Sequence, residues 1–169
     1  MAATAVGLLL EHNRAILTYI GDSRIYLVRN GHIVAVTVDH NLSTQLIRMG
    51  RPPVFARNVP RAKALVRCVG DFDWSESGEL IPMPLACEFF ELTLLPGDKL
   101  VLCSDGIVDY AATDEEGAEL LIREIVEQAS GSRWAAFDLM VAANRGGGGD
   151  NIACIVLGFE EPDEYEDYR

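Results

Sequence analysis

The first part of the chain is a series of short apolar or alternating segments separated by turn residues, and this pattern restricts the fold more than any other. Segments such as AILTYI and RIYLV are rich in β-branched and aromatic residues, which favours strands. Asn30-Gly31 is a hairpin signal, because both residue types accept the positive φ angles of a type I′ turn. Thr4 to Val38 is therefore predicted to form an antiparallel meander of three or four strands.

The next segment combines one short helix with a long irregular region. Asn41 is suited to cap a helix that ends at Met49, before Gly50 and a pair of prolines. From Arg51 to Leu85 the proline content is high and periodicity is weak, apart from the apolar run ALVRCVG. We predict a long loop with one strand inside it, and loops of that length are usually functional.

The second half of the chain contains both strand and helix patterns. Glu88–Leu94 and KLVLCS are predicted to pair as a hairpin around Pro96-Gly97-Asp98. Apolar residues at helical spacing predict helices over 115–129 and 134–143, and 152–159 is predicted to be the last strand. Because the strands and the helices are grouped separately, the fold class is α+β.

Composition excludes some classes of partner. A chain of 169 residues with 49% hydrophobic content is long enough for one domain with its own core. A formal charge of −12 argues against a nucleic-acid-binding face, which would require clustered Lys and Arg. We predict one domain over 1–159 and an acidic disordered tail over 160–169, because the tail holds mostly Asp and Glu.

Cysteine usage and hydropathy indicate the compartment. The 4 cysteines are widely spread with no C-x-x-C pair, a pattern typical of a reducing compartment. The N-terminal residues lack the basic region of a signal peptide, and no apolar run approaches the roughly 20 residues of a membrane span. We therefore expect a cytoplasmic protein with no membrane partner.

Three aspartates stand at the ends of predicted core strands. Asp105 follows LVLCS and precedes Gly106, Asp150 follows a run of four glycines, and Asp22 lies in the turn IGDSR. An acid beside apolar strand residues is costly to bury unless it is paired, protonated or bound to a metal. Aspartates in turns also commonly accept hydrogen bonds from nearby backbone N–H groups, so the residues alone leave both readings open. A metal held by such ligands, without a Cys or His cluster, would be Mg²⁺ or Mn²⁺.

Four sequence blocks occur in an order that resembles a known family. The blocks are GDSRIYLVRNGHIVAVTVDHN, VRCVGD, LLPGDKLVLCSDGIVD and GGGGDNIACIVL, and together they resemble the metal-dependent protein phosphatases of the PPM or 2C type over roughly 1–159. The resemblance implies an αββα sandwich of two antiparallel sheets flanked by helices, with a metal site in a cleft at its edge. It also implies that Asp105 and Asp150 bind metal and that Asp22 is an accessory ligand for a further ion.

The resemblance further implies a reaction and a substrate. Two divalent ions would deprotonate a bridging water and direct it at a phosphoserine or phosphothreonine of a protein substrate, so that no protein nucleophile is required. The absence of a G-x-S-x-G elbow and of a cysteine phosphatase loop agrees with this chemistry. The residues beside the aspartates are expected to shape the backbone that supports the site: Gly21, Gly106, Gly149 and Asn151.

The histidines and the glycine run suggest no second site. His12, His32 and His40 lie near predicted turns without a shared metal spacing and are expected at the surface or in hydrogen bonds. His40, in VDHN, matches a family position for which we expect a structural role. The glycine run lacks the G-K-[ST] of a P-loop, so nucleotide binding is not expected.

One block of the family pattern is not found in this sequence. The family has an earlier D-G-x-x-G block, whose aspartate bridges the metals, and an upstream phosphate-holding arginine. We therefore expect a domain that is incomplete at its N terminus and does not bind two metals tightly by itself. Sheet edges left uncovered would promote self-association.

Three explanations compete for the missing block. The chain is a truncated or mis-started phosphatase, a product completed by another chain, or a non-catalytic module that binds phosphoproteins through 51–85. The first is favoured because the aspartates are retained.

Overall fold

The computed structural model describes residues 2–160, so nearly all of the predicted acidic tail, 161–169, lies outside the described residues. The strands and helices are β1 Ala5–Glu11, β2 Arg14–Ile20, β3 Arg24–Arg29, β4 His32–Val36, α1 Leu42–Arg48, α2 Pro53–Asn58, β5 Phe72–Trp74, β6 Leu80–Pro82, β7 Glu88–Thr93, β8 Lys99–Cys103, α3 Asp105–Ala111, α4 Glu115–Gln128, α5 Ser132–Arg145 and β9 Cys154–Gly158.

The strands form two larger antiparallel sheets and one small hairpin. The first sheet has the order β1-β2-β7, the second has the order β4-β3-β8-β9, and β5 pairs with β6. The predicted three or four strands over 4–38 and the Asn30-Gly31 turn are confirmed, with φ angles of 50° and 71° at the two turn residues. Their arrangement as one meander is wrong, because β2 pairs with β1 and β7 whereas β3 pairs with β4 and β8. The chain passes from the first sheet to the second at 21–23.

Two apolar layers hold the sandwich together. Between the sheets, Leu17 of β2 packs in one buried cluster with Leu27 of β3 and Leu100 of β8. The other face of the second sheet buries Tyr26 and Val101 against α3, α4 and α5. Burial of apolar surface on this scale is the main favourable contribution to folding.

The observed layers confirm the α+β sandwich of antiparallel sheets and helices. Helices α3, α4 and α5 cover the second sheet. On the outer face of the first sheet, Leu9 and Phe89 are 62% and 71% exposed. Within residues 2–160, the helix layer therefore lies on one side of the sandwich. No helix in that range is long and apolar enough to cross a membrane.

The predicted strand in ALVRCVG is wrong. This segment makes only isolated bridges, Leu65 with Asn41 and Val69 with Ala3, so it has no continuous ladder with one neighbour. The region 51–85 instead contains α2 and the β5–β6 hairpin, whose strands are exposed throughout.

The predicted hairpin between β7 and β8 is also wrong. β7 pairs with β2, whereas β8 lies between β3 and β9, so the turn between them carries the chain from one sheet to the other. Asp98, which is 1% exposed, fixes this turn by accepting hydrogen bonds from Leu95 N at 2.8 Å and from Arg29 Nε at 2.7 Å.

The three predicted helices are confirmed, and two further helices, α2 and α3, were not predicted. Asn41 caps α1, accepting from Thr44 N at 3.0 Å, and Asp114 caps α4. Helix α3 starts at Asp105 directly after β8. The sequence SDGIVD was interpreted as a turn at the end of a strand, yet its Ile107 and Val108 are buried against the helical layer.

Candidate metal centre

Acidic side chains from three parts of the chain meet in one cleft. The cleft has a volume of about 480 Å³ and is lined by Asp22 from the β2–β3 crossover, Asp39 after β4, and Asp105 and Asp109 of α3. The two α3 residues are four positions apart and so share one helix face. The structure thus brings Asp22 and Asp105 together, as the sequence predicted. The cleft wall as described does not include Asp150.

The backbone at Gly21 fixes the position of Asp22. Gly21 has φ of 102°, in the region that favours glycine, and a Cβ at this position would overlap the side chain of Thr4. Gly21 O accepts from His40 N at 2.9 Å, and Gly21 N donates to His40 Nδ1 at 3.1 Å. The residue before Asp22 is therefore held by two hydrogen bonds to one histidine.

Asp105 is the first residue of α3, and its neighbours join β8 to the approach to β9. Ser104 Oγ donates to Asn151 O at 2.9 Å and accepts from Ala153 N at 3.1 Å. Gly106 packs so closely on the Asn151 carbonyl that a Cβ would overlap it. The S-D-G and D-N segments are therefore fixed to each other, as their predicted supporting role requires.

Asp150 lies next to this junction and makes a local contact. Its Oδ1 accepts from Asn151 N at 2.6 Å, which is the backbone role that the sequence left open for such an aspartate. Gly149 packs against Tyr110, where a Cβ would lie 2.5 Å from the hydroxyl oxygen. Within residues 2–160, the other carboxylate oxygen of Asp150 makes no hydrogen bond or ion pair.

The acids repel one another, and their pKa values show it. Burial, together with the charges of Asp105 and Asp39, raises the pKa of Asp22 from 3.8 to about 6. Burial and the charges of Asp150 and Asp109 raise the pKa of Asp105. Asp22, Asp105 and Asp150 therefore form one electrostatic neighbourhood in which a proton or a cation is favoured.

The donor chemistry fits a hard divalent ion, although the described ligand set is partial. Carboxylate oxygens in mutual repulsion are the ligands that Mg²⁺ and Mn²⁺ prefer. Within residues 2–160, no group of three or more His, Cys, Asp or Glu side chains is arranged to hold a metal ion. These aspartates alone do not complete a coordination sphere.

Sequence analysis missed the basic residue beneath the cleft. Arg24, with an 11% exposed side chain, donates from Nε and from one terminal nitrogen to the two oxygens of Asp39, each at 2.8 Å. The same terminal nitrogen lies 2.7 Å from an oxygen of Glu115. The arginine in GDSR was the available signal, since a charge between two buried strands requires a partner.

A second cluster surrounds His40, for which only a structural role was predicted. The ring stacks on Tyr19 with centroids 5.0 Å apart, and its Nε2 lies 3.2 Å from Glu88 Oε1. Burial and the charge of Arg67 lower the pKa of His40, so the ring is neutral near pH 7. Hydrogen bonds from Tyr19 and Arg67 outweigh burial and hold the pKa of Glu88 down at about 2.

Two packed antiparallel sheets, a helical layer and an acidic cleft at the crossover define an α+β sandwich with a candidate cation site. Residues 1–152 match the family described as protein phosphatase 2C, and the chain belongs to that family. The family resemblance identified from the four sequence blocks is confirmed.

Bacterial relatives share this part of their sequence. The serine/threonine protein phosphatase PstP of Mycobacterium tuberculosis is 31% identical over 157 residues, covering 92% of this chain and 27% of PstP. Protein phosphatase PhpP of Streptococcus pneumoniae is 31% identical over 164 residues, covering 96% of this chain and 60% of PhpP. The chain thus spans less than two thirds of the length of each of these relatives.

Solved structures of serine/threonine phosphatases are similar to this chain in fold. A crystal structure of Mycobacterium tuberculosis PstP/Ppp superposes with a TM-score of 0.74 at 30% identity, covering 93% of this chain and 60% of that one. The catalytic domain of PstP in complex with two manganese ions has a TM-score of 0.66 at 30% identity, covering 92% and 58%.

Proposed function

We propose that this chain provides part of a divalent-metal site that hydrolyses phosphoserine and phosphothreonine in proteins. Asp105 and Asp150 are the metal ligands, and Asp22 is an accessory ligand. The observation that carries the proposal is the shared cleft of Asp22 and Asp105, where the charge of Asp105 helps to raise the pKa of Asp22. The serine/threonine phosphatase names of the relatives support the same reaction.

The cofactor of this site is Mg²⁺ or Mn²⁺. Ions of this kind, when bound, activate water and neutralise phosphoryl oxygens. The residues of this chain bind and orient them. Asp22 and Asp105 supply oxygens to the same cleft, and the Ser104–Asn151 junction holds Asp105 beside Asp150.

The hydroxyl of Ser104, which directly precedes Asp105, is not proposed as a nucleophile. Ser104 Oγ donates to one carbonyl and accepts from one backbone N–H, so it is already occupied. Lys63 and Arg57 lie at the cleft rim, where an anionic phosphoprotein segment would enter. Both are paired with acids, Lys63 with Asp109 at 2.6 Å and Arg57 with Glu115 at 3.4 Å.

The test is Mn²⁺-dependent hydrolysis of p-nitrophenyl phosphate. It compares this chain with a form extended upstream by a D-G-x-x-G segment, which would supply the remaining ligands. Asp105→Asn in the active form should lower the rate at least about 100-fold. Loss of a metal ligand is expected to cost at least as much activity as loss of a group that only orients a ligand. Asp138→Asn, on the exposed side of α5, is the matched control and should leave the rate unchanged. An inactive extended form, or an unaffected Asp105→Asn variant, would contradict the proposal.

A second candidate is a non-catalytic module that binds phosphoproteins through 51–85. The exposed apolar side chains of the β5–β6 hairpin favour it, because Trp74 and Leu80 are 61% and 56% exposed. Such a module would bind a phosphopeptide without turnover, and Trp74→Ala would weaken that binding. Mn²⁺-dependent turnover that survives Trp74→Ala would exclude it.

The reaction is proposed to take place in the cytoplasm. The four cysteines are free thiols, and Cys103 is buried in the core. Free thiols of this kind persist in a reducing compartment.

A further inference from the structure

His40 makes contacts that a residue with only a packing role does not need. Its side chain is 1% exposed, yet both ring nitrogens have partners. Nδ1 accepts from Gly21 N at 3.1 Å, and Nε2 lies 3.2 Å from Glu88 Oε1 and also contacts Arg67 Nη2. Because Nδ1 accepts, a neutral ring carries its proton on Nε2, where Glu88 Oε1 is the available acceptor.

The orientation of the ring is determined by its surroundings. Tyr19 stacks on it with an angle of 12° between the planes, and the Tyr19 hydroxyl donates to Glu88 Oε2 at 2.8 Å. Arg67 donates to Glu88 Oε1 at 2.7 Å. Glu88 is thus fixed by two donors besides His40, and it in turn fixes which nitrogen of His40 faces Gly21.

The other end of this arrangement reaches the cleft. His40 donates from its backbone N to Gly21 O at 2.9 Å and accepts from Gly21 N at its ring, so both polar groups of Gly21 bond to the same residue. Gly21 has φ of 102° and precedes Asp22 directly. The two peptide units that flank the Gly21 Cα are each held at one polar group, so rotation about the φ or ψ of Gly21 would break a buried hydrogen bond.

We propose that His40 is a positioning residue for metal binding: through Gly21 it holds the Asp22 carboxylate in the cleft, and Glu88 holds His40 in the required orientation. The inference rests on the proposed function, since it assigns His40 to the accessory ligand of that site. Glu88 of β7 and Arg67 of the 51–85 segment thereby join a site that the sequence assigned to three aspartates and their neighbours.

Two isosteric substitutions separate positioning from packing. In His40→Asn the carboxamide oxygen replaces Nδ1 and keeps the acceptor for Gly21 N, whereas the bond to Glu88 is lost. In His40→Gln the carboxamide nitrogen replaces Nε2 and keeps the bond to Glu88, whereas the acceptor is lost. Both remove the ring and its stacking on Tyr19, so a packing role predicts similar losses. His32→Gln, at an exposed histidine, is the control.

The measurement is the Mn²⁺ dissociation constant of the chain, from the electron paramagnetic resonance signal of free Mn²⁺. His40→Gln is expected to weaken binding about tenfold, as loss of an orienting group does, while His40→Asn stays close to wild type. Equal effects of the two variants, or none, would overturn the inference. If they do not fold, Glu88→Met, which removes the acceptor for Nε2, and Glu88→Gln, which keeps one, provide the same comparison.

A metal-free readout distinguishes this inference from the proposed function. The carboxyl ¹³C resonance of Asp22 should shift in His40→Gln and not in His40→Asn. If the form extended upstream binds no Mn²⁺, or if Asp105→Asn in that form binds it equally well, the proposed function fails. The Asp22 resonance then still supports or overturns the positioning role by itself.

Discussion

Ser104 donates a hydrogen bond from its hydroxyl to the carbonyl oxygen of Asn151 at 2.9 Å, across a sequence separation of 47 residues. This bond joins the residue before Asp105 to the residue after Asp150. We expect Ser104→Ala to lower the free energy of unfolding by about 1 kcal/mol and to weaken Mn²⁺ binding about tenfold. Urea unfolding and Mn²⁺ titration measure the two effects. Ser77→Ala, at an exposed turn hydroxyl, is the control and should change neither.

Protonation of Asp22 should make the free energy of unfolding depend on pH when no metal is present. Because its pKa is raised from 3.8 to about 6, the native state keeps a proton that the unfolded chain releases in this range. The free energy of unfolding is therefore expected to fall as pH rises from about 4 to 6, by about 1–2 kcal/mol after allowance for solvent screening. Urea titrations at each pH test this.

Asp22→Asn supplies the control for that slope. The variant carries no charge at this position, so it should lose this part of the pH dependence and be more stable than wild type at pH 7 without metal. An unchanged slope would show that Asp22 is not the titrating group.

Arg24 and Asp39 form a buried ion pair whose geometry requires a guanidinium. Arg24→Lys keeps the charge and loses the two parallel bonds to Asp39, so we expect a loss of about 1–3 kcal/mol. Arg24→Ala leaves Asp39 uncompensated and should cost about 3–5 kcal/mol. Thermal unfolding monitored by circular dichroism gives both values. An Arg24→Lys variant as stable as wild type would mean that charge rather than bidentate geometry determines the contribution.

The outer face of the first sheet is expected to mediate self-association. It exposes Leu9 and Phe89, and β1 pairs only with β2 among the described strands. The mean mass from light scattering should rise with protein concentration. Phe89→Ser should keep it near 18.5 kDa, whereas Phe55→Ser, at an exposed position on α2, should not. A concentration-independent monomer would contradict this prediction.

Local signals in the sequence were enough for the parts of the fold that short-range chemistry determines. The Asn30-Gly31 turn and the Asn41 cap each depend on contacts within four residues, so both could be predicted. The assignment of β7 and β8 to different sheets could not, because it depends on the buried bond between Asp98 and Arg29, 69 residues apart. Turn residues alone look the same in a hairpin and in a crossover.

The candidate site was likewise predictable only in part from the sequence. Asp22 and Asp105 could be selected because each is an acid at the end of an apolar run, and the structure places both in one cleft. The role of Asp150 as a ligand stays a prediction. Asp39, Asp109 and Glu88 gave no comparable signal, since acids on loops and helices are common at surfaces and only the packing of the sheets brings these to the site.

Asp22 lies on the three-residue passage, 21–23, by which the chain leaves one sheet and enters the other. Any change in the spacing of the two sheets therefore moves this carboxylate relative to the helix that carries Asp105. If the cleft binds a cation as proposed, we expect substitutions among Leu17, Leu27 and Leu100, which share the buried layer between the sheets, to change its affinity without altering a ligand. The hydrophobic interior would then offer a way to tune the cleft.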